Sequence, residues 1–125
     1  MKTLLFAVSM VVFSTTWAVE EARFVEKSIE AYPFVALRER AVTITTNYTK
    51  IKKGMSANQV ESVLGVPDEV RSLYEPKLTS GKHIGYTYWY VLRRVKKNGS
   101  VKEKDESLIR VSFDTNGKVT HIDRW

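Results

Sequence analysis

Residues 51–67, Ile-Lys-Lys-Gly-Met-Ser-Ala-Asn-Gln-Val-Glu-Ser-Val-Leu-Gly-Val-Pro, specify a short helix with both ends marked. Ser56 is placed to accept the N–H of Gln59 while the Gln59 side chain reaches back to the N–H of Ser56, the reciprocal capping box. Met55 and Val60 take the stapling positions on either side of that cap. Val60, Val63 and Leu64 then share one face, Gly65 is expected in the left-handed C′ position, and Pro67 forbids continuation. The pattern predicts a helix from about Ala57 to Leu64 with one apolar stripe to bury.

From Ile84 onward the periodicity changes from helical to alternating. Asn98-Gly99 is a two-residue hairpin signal. With that pair at the tip, Ile84 lies opposite Phe113, Tyr86 opposite Val111, Tyr88 opposite Ile109 and Tyr90 opposite Ser107. One face then collects Ile84, Tyr86, Tyr88, Tyr90, Leu92, Ile109, Val111 and Phe113, which is the expected core face. The other face carries Thr87, Trp89, Val91 and Arg93 opposite Arg110, Leu108, Glu106 and Lys104. A second hairpin is expected at Asp114-Thr115-Asn116-Gly117, a type I turn with Gly117 in the left-handed bulge position. In the final strand Val119 and Ile122 lie three apart, so a regular strand cannot turn both inward.

The stretch before the capped helix gives mixed signals. Val25, Ile29 and Tyr32 share a helical face behind Glu20, Glu21 and Glu26, which predicts a helix over 20–32 ended by Pro33. Phe34, Leu37, Ala41, Ile44 and Tyr48 keep helical spacing, whereas Val42-Thr43-Ile44-Thr45-Thr46 alternates as a strand would. The reading favours helix to about Arg40. The loop from Glu75 to His83, with Pro76 and Gly81, is the expected flexible connection.

The first residues read as an export signal. Lys2 precedes an apolar run from Leu4 to Phe13, and Thr16-Trp17-Ala18 places small residues for cleavage after Ala18. The expected mature chain begins at Val19 and is periplasmic, with no transmembrane segment. The chain contains no cysteine, so neither a disulfide nor a lipid-bearing thiol is expected and the mature protein is read as not lipidated. Its net charge of +6 favours anionic partners such as a lipid headgroup or glycan surface. Lys50, Lys52 and Lys53 form one basic group, and Arg94, Lys96 and Lys97 extend a second. No nucleic-acid-binding motif accompanies them.

Catalytic chemistry is poorly supplied. The two histidines are His83 and His121, and Asp123 shares a strand face with His121, but one His and one Asp provide neither a nucleophile nor a metal's ligand set. The glycines fall at caps, turns and strand ends, and none builds a phosphate loop. No enzyme activity, cofactor or metal is assigned.

Taken in order, Ile51, Gly54-Met55-Ser56, Gln59-Val60, Leu64-Gly65-Val66-Pro67, the aromatic strand 86–92 and Val111-Ser112-Phe113-Asp114-Thr115-Asn116-Gly117-Lys118-Val119 resemble the SmpA/OmlA (BamE-like) envelope protein family, without the lipoprotein cysteine. The resemblance covers roughly residues 46–125. It implies an α+β domain of short helices on one face of a three- to four-stranded antiparallel sheet, a layout also similar to the β-lactamase-inhibitor protein. The expected organisation is a signal peptide at 1–18, a helical extension at 19–45 and the α+β domain at 46–125. The resemblance implies a non-catalytic exported module that binds an envelope protein in outer-membrane or cell-envelope assembly. The alternative is an exported inhibitor of an envelope or secreted enzyme. Trp89, Val91, Arg93, Leu108 and Arg110, an amphipathic set on the face away from the helices, are the candidate partner surface.

Overall fold

The computed structural model describes residues 24–76, 81–97 and 106–125. Its centre is β3 (His83–Arg94), the long aromatic strand, which is paired along both edges. On one side it meets β4 (Ser107–Asp114), which in turn pairs with β5 (Val119–Arg124), all antiparallel. Two short strands, β1 (Phe34–Val35) and β2 (Glu69–Tyr74), share its other edge end to end. The sheet therefore has five strands where three or four were expected, because β1 and β2 lie in segments without a clear alternating signal. Asp68 bridges the gap between them: its N–H donates to the Trp89 carbonyl and its carboxylate accepts the Val91 N–H at 2.8 Å.

The helices α1 (Arg38–Asn47) and α2 (Ala57–Leu64) lie on one face, separated by a single 3₁₀ turn at Tyr48–Lys50 and the loop that follows it. Helix α2 has both capping-box bonds and buries Ala57, Val60 and Leu64. Its C-cap Gly65 has φ 85 and ψ −171, so the chain leaves in an extended direction and not through the expected left-handed helical turn. The stripe packs with Ile44 and Ile51 against Tyr88, Tyr90, Ile109, Val111 and Phe113.

Two corrections concern the N-terminal half. Residues 24–32 form no helix; the expected span's first residues, 20–23, and the signal segment lie outside the described residues. Instead Lys27 exchanges both backbone hydrogen bonds with Val70 at 3.1 Å, and Ile29 and Tyr32 pack on the sheet while Val25 stays exposed. The helix begins at Arg38 and runs through the β-branched segment. Thr43 and Thr45 donate their hydroxyls to the carbonyls of Glu39 and Ala41 four residues back, and Ile44 is fully buried, so tertiary packing overrides a weak local preference.

In the main hairpin Tyr86 lies opposite Phe113, Tyr88 opposite Val111 and Tyr90 opposite Ile109, two positions away from the register expected from Asn98-Gly99. A shift of two leaves every side chain on its face. The tip residues themselves lie outside the described residues. Three bulges change faces where regular alternation failed to foresee it. At Ile84 the β2–β3 register slips, leaving that residue 42% exposed instead of in the core. At Thr120 it slips again, so Val119 faces Phe113 and Ile122 faces Val111, both on the core side. The third, at Leu92, reshapes the candidate site.

Candidate functional site

Strand alternation on the face away from the helices brings together Glu69 and Arg71 from β2, Thr87, Trp89 and Val91 from β3, and Leu108 and Arg110 from β4. The bulge at Leu92 puts Arg93 opposite Ser107, on the parity of the helix side, and delivers Arg94 to this outer face in its place. The two arginines have thus exchanged their expected faces. Arg93 is exposed and away from Trp89, whereas Arg94, expected on an anionic-binding surface, is 1% exposed.

Arg94 is buried because it is paired. Its Nη1 lies 3.0 Å from Glu69 Oε1 and its Nε donates to Glu106, both partners themselves buried. Glu69 Oε1 also accepts from Arg71 Nη2 at 2.6 Å, and Glu106 Oε1 accepts the Trp125 indole N–H at 3.3 Å. Arg71, Glu69, Arg94 and Glu106 thus form a chain of alternating charge that links β2, β3 and the residue before β4. Burial acts to raise the Glu69 carboxyl, but the Ile29 N–H and the two guanidiniums outweigh it and hold the carboxyl below its ordinary value. Burial likewise acts to lower Arg94, and its bonds to Tyr32, Glu106 and Glu69 outweigh that, keeping it charged.

Beside this chain the face divides into two halves. In one, Ile29, Tyr32 and Phe34 cover Val91 and Leu108, both 0% exposed. Val91 and Leu108 therefore cannot be exposed contacts, as the sequence suggested, because the N-terminal segment seats itself over them. In the other half Trp89 is half-buried. The Arg71 guanidinium sits 4.0 Å from its ring centroid, that of Arg110 lies at 5.5 Å, and Trp125 packs edge-on at 6.0 Å. The Trp89 indole N–H donates to Thr87 Oγ1 at 2.8 Å, and Asp123 accepts from Arg110 at 2.8 Å. Arg71 was not singled out from sequence, because it sits on the unforeseen strand β2.

His121 lies opposite Ser112 and is exposed, and Asp123 is engaged by Arg110, so the two do not form a paired site. Lys50, Lys52, Lys53, Lys96 and Lys97 are exposed. Among the described residues no helix is long and apolar enough to cross a membrane, and no group of three or more metal-ligating side chains is present.

A family model described as the outer membrane protein assembly factor BamE domain matches residues 43–123. No curated protein gives a match. Among solved structures, one titled as a putative osmotically inducible lipoprotein OsmE is similar at 24% sequence identity with a TM-score of 0.43, over 66% of this chain and 80% of that one.

Proposed function

The chain belongs to the outer membrane protein assembly factor BamE domain family, and on that footing we propose that it is a non-catalytic, envelope-associated module that binds a protein partner in outer-membrane assembly. The observation that carries the reading is the half of the outer face that residues 27–36 leave uncovered. Trp89 is held by Arg71, Arg110 and Trp125 in an amphipathic arrangement, the composition that dominates binding energy at protein interfaces. The chemistry around it is charge-balanced, which suits a protein surface better than a purely anionic one. The proposed contact set is Trp89, Trp125, Arg71 and Arg110, with Val91 and Leu108 supporting the patch from beneath; Arg93, turned to the other face by the bulge, is not part of it.

The export signal at 1–18, cleavage after Ala18 and the absence of lipidation belong to the same proposal, as does the division of the mature chain near residue 45. An anionic lipid or glycan surface would meet the exposed lysines at 50, 52, 53, 96 and 97. The experiment is site-specific photocrosslinking in envelope fractions. A reactive residue at position 110 captures a component of the outer-membrane assembly machinery, and the same residue at the exposed helix position 62 does not. Equal capture from both sites, or none from position 110, rejects the reading.

A further inference from the structure

The chain's own residues 27–36 lie along the outer face as a bound peptide, paired with the sheet at Lys27 and again at Phe34–Val35 and bent at 31–33 between those points. Their backbone supplies most of the attachment: Lys27 exchanges two bonds with Val70, Ala36 donates to the Leu92 carbonyl at 3.0 Å, and Phe34–Val35 adds a two-residue strand opposite Arg93 and Arg94. Side chains contribute three anchors, Ile29, Tyr32 and Phe34, packed on Val91 and Leu108. Between the anchors the segment stays in solvent, with Ser28, Glu30, Ala31, Pro33 and Val35 all exposed. Main-chain bonds plus a few side-chain pockets are how proteins bind extended peptides at a sheet edge.

The surface beneath is held chiefly by its own ion pairs, with one added bond from Arg94 to the Tyr32 hydroxyl of the segment. Glu69 and Glu106 each pair with Arg94, and this fixes Glu69 Oε2 as a buried acceptor aimed at a backbone N–H, here that of Ile29 at 2.9 Å. Every residue forming that floor falls within 43–123, the span matched by the family model, whereas the segment covering it precedes that span.

We infer that this floor is a binding groove for a partner peptide that pairs at both its ends and bends between them, carrying an aliphatic anchor followed by aromatic anchors three and five residues later, and that residues 27–36 occupy it as an intramolecular competitor. The inference rests on the protein-binding reading above and assigns a second, gated half to the same face. A segment attached in cis reduces the apparent affinity for an outside peptide by the fraction of time that the groove is open. Weakening the cis segment therefore tightens binding in trans, the opposite of what general loss of structure would do.

The probe is a synthetic peptide with the sequence of residues 24–37, and the control is the same peptide with serine at the three anchor positions. Val35 and Arg93 are exposed cross-strand partners and the chain has no cysteine, so Val35→Cys/Arg93→Cys locks the segment through a single reversible disulfide. The peptide binds the reduced form and not the oxidised one, the control binds neither, and binding removes hydrogen-exchange protection from the Ile29 amide. In Tyr32→Ala/Phe34→Ala the peptide binds about ten-fold more tightly; Phe34→Ala alone carries the same comparison, with a smaller gain, should the double variant fail to fold. Binding to the oxidised form, no binding to the reduced form, or no gain in the weakened variants overturns the groove. Crosslinking from position 110 has its own readout, so loss of one does not imply loss of the other.

Discussion

Glu69 Oε2 accepts the backbone N–H of Ile29 at 2.9 Å, joining residues forty apart in the sequence, while Oε1 of the same carboxylate is held by Arg71 and Arg94. One side chain therefore fastens the N-terminal segment to the sheet and neutralises a buried guanidinium. Its two oxygens have separate tasks.

Glu69→Gln keeps an acceptor for Ile29 but removes the charge facing Arg94. Breaking a buried ion pair costs about 3–5 kcal/mol, and Arg94 retains Glu106 as its second partner, so this figure is the upper bound here. Urea denaturation of the variant is expected to show a loss between about 1 kcal/mol and that bound, and a smaller loss would mean that Glu106 alone suffices for Arg94.

Because the folded Glu69 carboxyl is held below its ordinary 4.5, its stabilising contribution is fully present above that value and is lost as pH falls through the folded one. Denaturation midpoints of the wild type are expected to decline across this acidic window. Glu69→Gln should show a shallower decline over the same range.

Leu64 is buried against the sheet core and Ser56 caps its helix. Leu64→Ala is expected to cost about 2–5 kcal/mol through the cavity it opens, and Ser56→Ala about 1 kcal/mol through the lost cap. Denaturant titrations separate the two, and their order should not invert.

Gly85 sits where an added Cβ would lie 1.9 Å from the Phe113 carbonyl oxygen, a backbone atom of the paired strand. Gly85→Ala must push β3 and β4 apart at their ladder, at a cost of about 3 kcal/mol or more. A variant that melts with the wild type would show that this approach relaxes freely.

Trp89 is half-buried, so Trp89→Ala is expected to lose about 1.5–3 kcal/mol through its two guanidinium contacts and its aromatic contact, less than a fully buried core tryptophan loses. Capture of the envelope partner should fall while the protein remains folded. Full capture by a folded Trp89→Ala protein would place the partner surface elsewhere.

The sequence by itself determined whatever depends on local spacing. Helix α2 is written in Ser56, Gln59, Gly65 and Pro67 because caps act within one turn. The turn at Asp114 to Gly117 follows from the same locality: Asp114 Oδ1 accepts from Asn116 and Lys118, and Gly117 has φ 76. Alternation assigned Tyr88, Tyr90, Ile109, Val111 and Phe113 to the core, and those assignments survive a two-residue error in register because the strand period is two. The tertiary structure decided everything that reverses parity or closes over a distance. A bulge costs little locally and is selected by what packs across the strand, so the bulge at Leu92 could bury Arg94 between Glu69 and Glu106 only once those carboxylates were in place. The extended course of residues 24–36 has the same origin. Their spacing fits a helix, but Glu69, Val70 and Leu92 offer their backbone hydrogen-bonding groups better partners on the sheet.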